Sequence, residues 1–340
     1  MNACERMTAR LAGDAVDRPP NFNIFMTFAA RRTGKPLREY YLDCRVLVEA
    51  NMYVIEKFDI DLVQAISDPY RETADFGAKI EFPDDDMPLS KIPLLREPAD
   101  LRKLVMPNPY TGKRMSDRLE AIRIFREQVG DDYPIMGWVE GALAEAADLR
   151  GVNSLMLDLF DRPEWVEELC AICVEVAVDF ARAQIEAGAD IIGLGDAVGS
   201  LINPQLYRRF ALPYEQRIFE VVHGMGALAR LHICGNTSKI VDAMVESGAD
   251  IIDLDYMVDM ELAAANYGER VSFCGNFDPV AVLLQGSPED VYNASIHCME
   301  IGGLRAFSAG GCEVPMWTPD ENLQAQSQAL VDFGSGKYKA

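Results

Sequence analysis

Leu228-Ala-Arg-Leu-His-Ile-Cys-Gly-Asn-Thr-Ser-Lys-Ile-Val-Asp-Ala-Met-Val-Glu-Ser-Gly-Ala-Asp-Ile-Ile-Asp-Leu-Asp255 reads as strand, helix, strand. Leu228 to Cys234 and Asp250 to Asp255 are short apolar runs, and Thr237 to Glu246 between them carries helical spacing. Strands joined through a helix lie parallel, because a tight hairpin reverses the chain and a crossover does not. The unit recurs on both sides. Upstream lie the strand candidates Asn21 to Thr27, Ile60 to Ile66, Pro134 to Val139 and Asp190 to Leu194, and downstream Val271 to Gly275 and Leu304 to Ser308. Leu37 to Phe58, Tyr207 to His223 and Pro288 to Ile301 read as helices between them. So does Pro163 to Ala187, with proline at its start and Gly188 at its end. Eight short apolar strands alternating with helices predict an α/β fold of the (β/α)8 TIM-barrel kind rather than an open doubly wound sheet. Residues 1–340 read as a single barrel domain, with an irregular excursion at about 70–130 punctuated by Pro83, Pro88, Pro93, Pro98, Pro107 and Pro109.

A chain of 340 residues is ample for one such barrel. Its net charge of −22 argues against nucleic acid or an anionic membrane surface as partner, since both reward Lys and Arg. The charged residues between Met1 and Pro20 leave no leader-like apolar core, and no stretch is apolar for about 18 residues, so a cytoplasmic protein is expected. The eight cysteines are scattered, as reduced thiols are and a disulfide framework is not.

His232 and Cys234 stand two apart, so on a strand both point to one face. Far downstream, Phe307-Ser-Ala-Gly-Gly-Cys312-Glu-Val-Pro315 supplies a second cysteine just after the eighth strand. Two sulfurs and an imidazole form a Cys₂His zinc set, and three protein ligands leave one position open for chemistry. Buried cysteines and a hydrogen-bonded core histidine would produce the same spacing. The barrel favours the zinc set, because sites of this fold gather at the carboxyl ends of the strands, where all three residues fall. Asp68, Glu140, Asp196, Asp255 and Asn276 also end strands, and are candidates for a further ligand, a supporting partner or a catalytic contact. Each reads equally as a helix cap or turn residue. Gly193-Leu-Gly-Asp-Ala-Val-Gly199 misses the dinucleotide spacing, and Cys170 and Cys173 lie inside an apolar helix and read as core.

Gly275-Asn-Phe-Asp-Pro279, Asp250-Ile-Ile-Asp-Leu-Asp255, Thr318-Pro-Asp-Glu-Asn322 and Asp17-Arg-Pro-Pro20 together resemble the uroporphyrinogen decarboxylase superfamily. The resemblance spans nearly the whole chain and implies a (β/α)8 barrel. Two branches compete. The decarboxylases of porphyrin biosynthesis carry an Arg-Gln-Ala-Gly-Arg motif, and the matching stretch here reads Phe28-Ala-Ala-Arg-Arg-Thr-Gly-Lys-Pro36. Arg31 and Arg32 fall near the place without the motif, while Asp68 looks like the decarboxylase aspartate that binds pyrrole NH groups. The cobamide-dependent methyltransferases hold zinc in His-x-Cys-Gly-Asn and Ser-Ala-Gly-Cys-Glu-x-Pro contexts. Here these stand as His232-Ile-Cys234-Gly-Asn and Ser308-Ala-Gly-Gly-Cys312-Glu-Val-Pro, with one more glycine than the pattern.

That second branch implies a zinc (Zn2+) methyltransferase with His232, Cys234 and Cys312 as ligands and Glu140 or Asp196 as the nearby carboxylate. It also implies a corrinoid supplied by a partner protein docked over the mouth, with methyl transfer to or from a thiol, tetrahydrofolate or a methylated small substrate. A metal-free decarboxylase using Asp68 is the rival. A non-catalytic barrel that binds a corrinoid protein is the third reading.

Overall fold

The computed structural model describes residues 1–339 and shows six regular parallel strands in one curved sheet. They are β1 (Val63–Gln64), β4 (Ile135–Glu140), β5 (Ile191–Gly195), β6 (Leu228–His232), β7 (Ile251–Asp253) and β8 (Ser272–Cys274), hydrogen-bonded in that order. A small antiparallel hairpin, β2 (Ile80–Glu81) with β3 (Leu89–Ser90), lies apart from it. Every residue of β4 and β5 is buried, which is why these strands read as continuous apolar runs and not as alternating ones.

The two strands expected at Asn21 to Thr27 and Leu304 to Ser308 are not regular strands. The ring nevertheless closes through them by the bridges Asn21 to Ser308 and Cys274 to Phe307, with the Asp61 amide donating to the Asn21 carbonyl at 3.0 Å. Side-chain amides replace the missing ladder. Gln64 Nε2 donates to the Asn23 carbonyl at 3.0 Å, the Gly310 amide donates to Asn23 Oδ1 at 2.8 Å, and Asn23 Nδ2 donates to Gln326 Oε1 at 2.7 Å. Buried backbone groups must be paired, and here three buried amide side chains meet part of that demand. Thr27 already opens a helix, Thr27–Arg32.

Two expected helices are each divided in two. Asp43 is extended, and its carboxylate accepts from the Arg45 amide, so Leu37–Leu42 ends and Cys44–Phe58 begins there. Pro204–Phe210 and Leu212–Gly224 part at Ala211, with Pro213 at the opening of the second. Pro163–Ala187 runs unbroken to Gly188, whose φ of 116° ends it in the left-handed region. The stretch at 70–130 is the crossover from β1 to β4: its long helix, Lys113–Val129, packs on the barrel like the other crossover helices, and the hairpin precedes it. No helix among the described residues is long and apolar enough to cross a membrane.

Candidate metal centre

β6 delivers His232 as its last residue, and the chain turns at Gly235, whose φ is 90°, directly after Cys234. The Gly235 amide donates to Asp255 Oδ2 at 2.8 Å and fixes the turn to the loop after β7. Cys312 arrives on the loop after the eighth segment. A Cβ on Gly311 would stand 2.5 Å from the Tyr256 backbone nitrogen, so only glycine lets this loop lie flat on the neighbouring one. The additional glycine before Cys312 is therefore a close backbone approach. On the other side, Glu313 Oε1 accepts from the Thr27 amide at 2.7 Å and from its hydroxyl at 2.8 Å, tying the loop to the first segment.

The donor atoms of His232, Cys234 and Cys312 all lie within 4.8 Å of one another. His232 Nε2 is 3.7 Å from Cys312 Sγ. Tetrahedral zinc with ordinary Zn–S and Zn–N bonds would separate such atoms by roughly 3.6 Å, so the spacing fits. The donor types fit as well, and three ligands leave a fourth position for an incoming group.

Charge at the cluster is arranged for a cation. Hydrogen bonds from Cys312 and from His232 pull the Cys234 thiol down to about 4, while the same Cys312 hydrogen bond, with burial, pushes the Cys312 thiol upward. The two sulfurs thus share one proton in the metal-free protein. Burial works against an imidazolium at His232, but the hydrogen bond to Asp253 and the Cys234 thiolate raise it to about 9. A divalent ion would displace these protons.

Beneath the three donor residues, strand register builds a polar layer inside the barrel. Glu140 on β4, Gly195 on β5, His232 on β6 and Asp253 on β7 stand abreast. One layer down are Trp138, Gly193 and Arg230. A side chain on Gly193 would collide with the Trp138 ring, so the two β5 glycines open the space in which the indole lies. Its ring centroid is 6.1 Å from that of His232, and the residue is buried, giving the site an apolar wall.

The other sequence candidates have separate engagements. Asp68 is fully buried: Oδ2 accepts from Ser67 Oγ at 2.6 Å and pairs with Arg114, and Oδ1 accepts from the Tyr70 amide at 3.1 Å. Burial opposes its charge, but Arg114 and Arg71 hold the carboxyl below its usual range. Asp196 packs against Gly141 at the start of the helix Ala142–Arg150, and burial together with Glu215 pushes it far up. Asn276 Nδ2 donates to the Val258 carbonyl at 2.7 Å and to that of Asp255 at 3.3 Å, clamping the turn after β7. Arg31 stacks on Trp317 at 3.3 Å, and Arg32 pairs with Asp320 at 2.6 Å. Asp253, Trp138 and Glu313, which sequence reasoning did not single out, hold or wall the cluster instead. For Asp253 the signal was its parity with Asp255 on one strand.

The profile of the family described as uroporphyrinogen decarboxylase (URO-D) matches residues 2–332. The methylcobamide:CoM methyltransferase MtbA of Methanosarcina acetivorans is 32% identical over 342 residues, 97% of this chain and 97% of that one. The methylcobamide:CoM methyltransferase MtaA of Methanosarcina barkeri (strain Fusaro) is 28% identical over 338 residues, 96% of this chain and 97% of that one. A solved structure, a methyltransferase from Methanosarcina mazei, superposes with a TM-score of 0.89 at 25% identity and covers all of both chains. With the barrel closed by eight segments and the profile reaching from residue 2 to residue 332, the chain belongs to the uroporphyrinogen decarboxylase family.

Proposed function

We propose that this chain is a cytoplasmic zinc-dependent methyltransferase that moves a methyl group between the cobamide of a corrinoid protein and a thiol. Tetrahydrofolate or a methylated small substrate is an alternative partner at the same site. The observation that carries the reading is the cluster of His232, Cys234 and Cys312 donor atoms within 4.8 Å at the mouth of the barrel. The near full-length similarity to two methylcobamide:CoM methyltransferases supports it.

His232, Cys234 and Cys312 would hold the ion, and zinc there would keep a thiol ionised at neutral pH, as it acidifies bound water. The residues do the rest. Asp253 accepts from His232 Nδ1 and leaves Nε2 free to face the sulfurs. Trp138 and the closed lower layers exclude water from below, which strengthens every charge interaction above them. The loops after β5, β7 and the eighth segment present Leu201, Tyr256, Met257 and Trp317, all exposed, as a rim suited to a docked protein. Engagement of both Asp68 oxygens within the chain speaks against the metal-free decarboxylase, which needs that carboxylate free for substrate.

Elemental analysis of the purified protein tests the reading, beside Cys234→Ser and Cys312→Ser. About one zinc per chain, lost in both variants, is expected, followed by methyl transfer from methylcobalamin to coenzyme M seen in the cobalamin absorption spectrum. No zinc after incubation with the metal overturns it.

A further inference from the structure

Glu140 is held in an unusual way for a buried carboxylate. Oε1 accepts from Arg71 Nη2 at 2.6 Å, while Oε2 accepts no hydrogen bond from any described residue and is not fully buried. The side chain leans along the polar layer: Oε2 lies 3.3 Å from where a Cβ of Gly195 would be, and Gly195 is the Cα partner of His232. The Trp138 indole comes within 3.2 Å of that same point, so glycine at 195 leaves room for both the ring and the free oxygen beside the strand that carries His232. Behind Glu140 stand Arg71 and Glu72 on the helix Arg71–Asp75, Glu145 and Asp148 on Ala142–Arg150, and Asp196 after β5. Only Arg71 among these is cationic, so the pocket favours a carboxyl group that takes up a proton.

We infer that Glu140 Oε2 is the proton acceptor for the thiol that enters the fourth position beside His232, Cys234 and Cys312. This deepens the proposed methyltransferase reading and rests on it. The S–H bond breaks, its electron pair stays on sulfur, and the proton passes to Oε2 while Oε1 remains on Arg71. Burial, opposed by Arg71 and reinforced by Glu72, lifts the carboxyl to about 8, within reach of a thiol proton.

Calorimetric titration of the zinc-loaded protein with coenzyme M, in buffers of different ionisation enthalpy at pH 8, counts the protons released to solvent. Wild type should release fewer protons than Glu140→Gln, by up to about one per chain, because its carboxylate captures the thiol proton and the glutamine cannot. Glutamine still accepts from Arg71, so the variant should retain its zinc and its circular dichroism. A measurement on wild type alone guards against a folding defect: difference infrared spectra should show a protonated-carboxyl band growing as thiol binds. Equal proton counts, or no such band, overturn the role of Glu140. Failure of coenzyme M to bind either protein overturns the thiol version of the methyltransferase reading instead.

Discussion

Asp253 Oδ2 lies 2.9 Å from His232 Nδ1, and the same carboxylate receives Arg230 Nε through both oxygens at 2.9 and 3.1 Å. Arg230 is fully buried and spends a further donor on the Phe22 carbonyl across the barrel. The imidazole is therefore oriented by an ion pair fixed in the core. A histidine so held donates from Nδ1 and offers the Nε2 lone pair, the arrangement that raises ligand basicity.

Asp253→Asn should weaken zinc binding by about 10- to 100-fold per folded chain, because asparagine can still accept a hydrogen bond but carries no charge; it also leaves Arg230 buried without its counter-charge, so stability should fall as well. Competition with a chromogenic chelator measures the binding. An unchanged zinc affinity would show that the carboxylate serves only Arg230.

Gly311→Ala should also lower zinc affinity, by a different route. The added methyl would meet backbone at Tyr256 and Asp255, atoms that cannot rotate aside, so the loop bearing Cys312 must lift. Zinc retained during dialysis against the chelator should fall, while Gly310→Ala, whose Cβ would have no atom closer than 3.4 Å, should behave as wild type.

Much of this was legible in the sequence, and the remainder was hidden for identifiable reasons. The central strands declare themselves because both faces are buried, which demands continuous apolar runs such as Ile135 to Val139. The closing segments do not, because Asn23, Gln64 and Gln326 do the pairing through their side chains. Sulfur and imidazole chemistry marks His232, Cys234 and Cys312 from spacing and barrel position. Asp253 is one of three acidic residues in six positions, and only register assigns it to the interior layer with His232. Glycines 195 and 311 matter for what they leave vacant, which no spacing rule reports.

Asp68→Ala should be a stability defect and not a binding defect. Removing this carboxylate leaves Arg114 buried without its ion-pair partner, a loss of about 3–5 kcal/mol. The denaturant midpoint should drop, while zinc per folded chain stays at the wild-type value. Wild type should also fail to decarboxylate uroporphyrinogen; turnover of that substrate, abolished with little loss of stability in the variant, would return the decarboxylase reading.

Glu215→Gln should change how stability depends on pH. Glu215 is fully buried, Tyr207 donates to its Oε2 at 2.6 Å, and Oε1 has no partner among the described residues. Burial raises the carboxyl to about 8 against an ordinary 4.5, with the Tyr207 hydrogen bond pulling the other way. The folded state therefore keeps a proton that the unfolded chain releases above 4.5, so this contribution is complete at low pH and is lost as pH rises towards 8. Glutamine carries no such proton, and its NH₂ can donate to the unpartnered oxygens of neighbouring Asp196. Urea midpoints at pH 5.5, 7 and 8.5 should show the variant gaining on wild type as pH rises, by on the order of a few kcal/mol across the range. Parallel curves would mean that Glu215 titrates alike in the folded and unfolded chains.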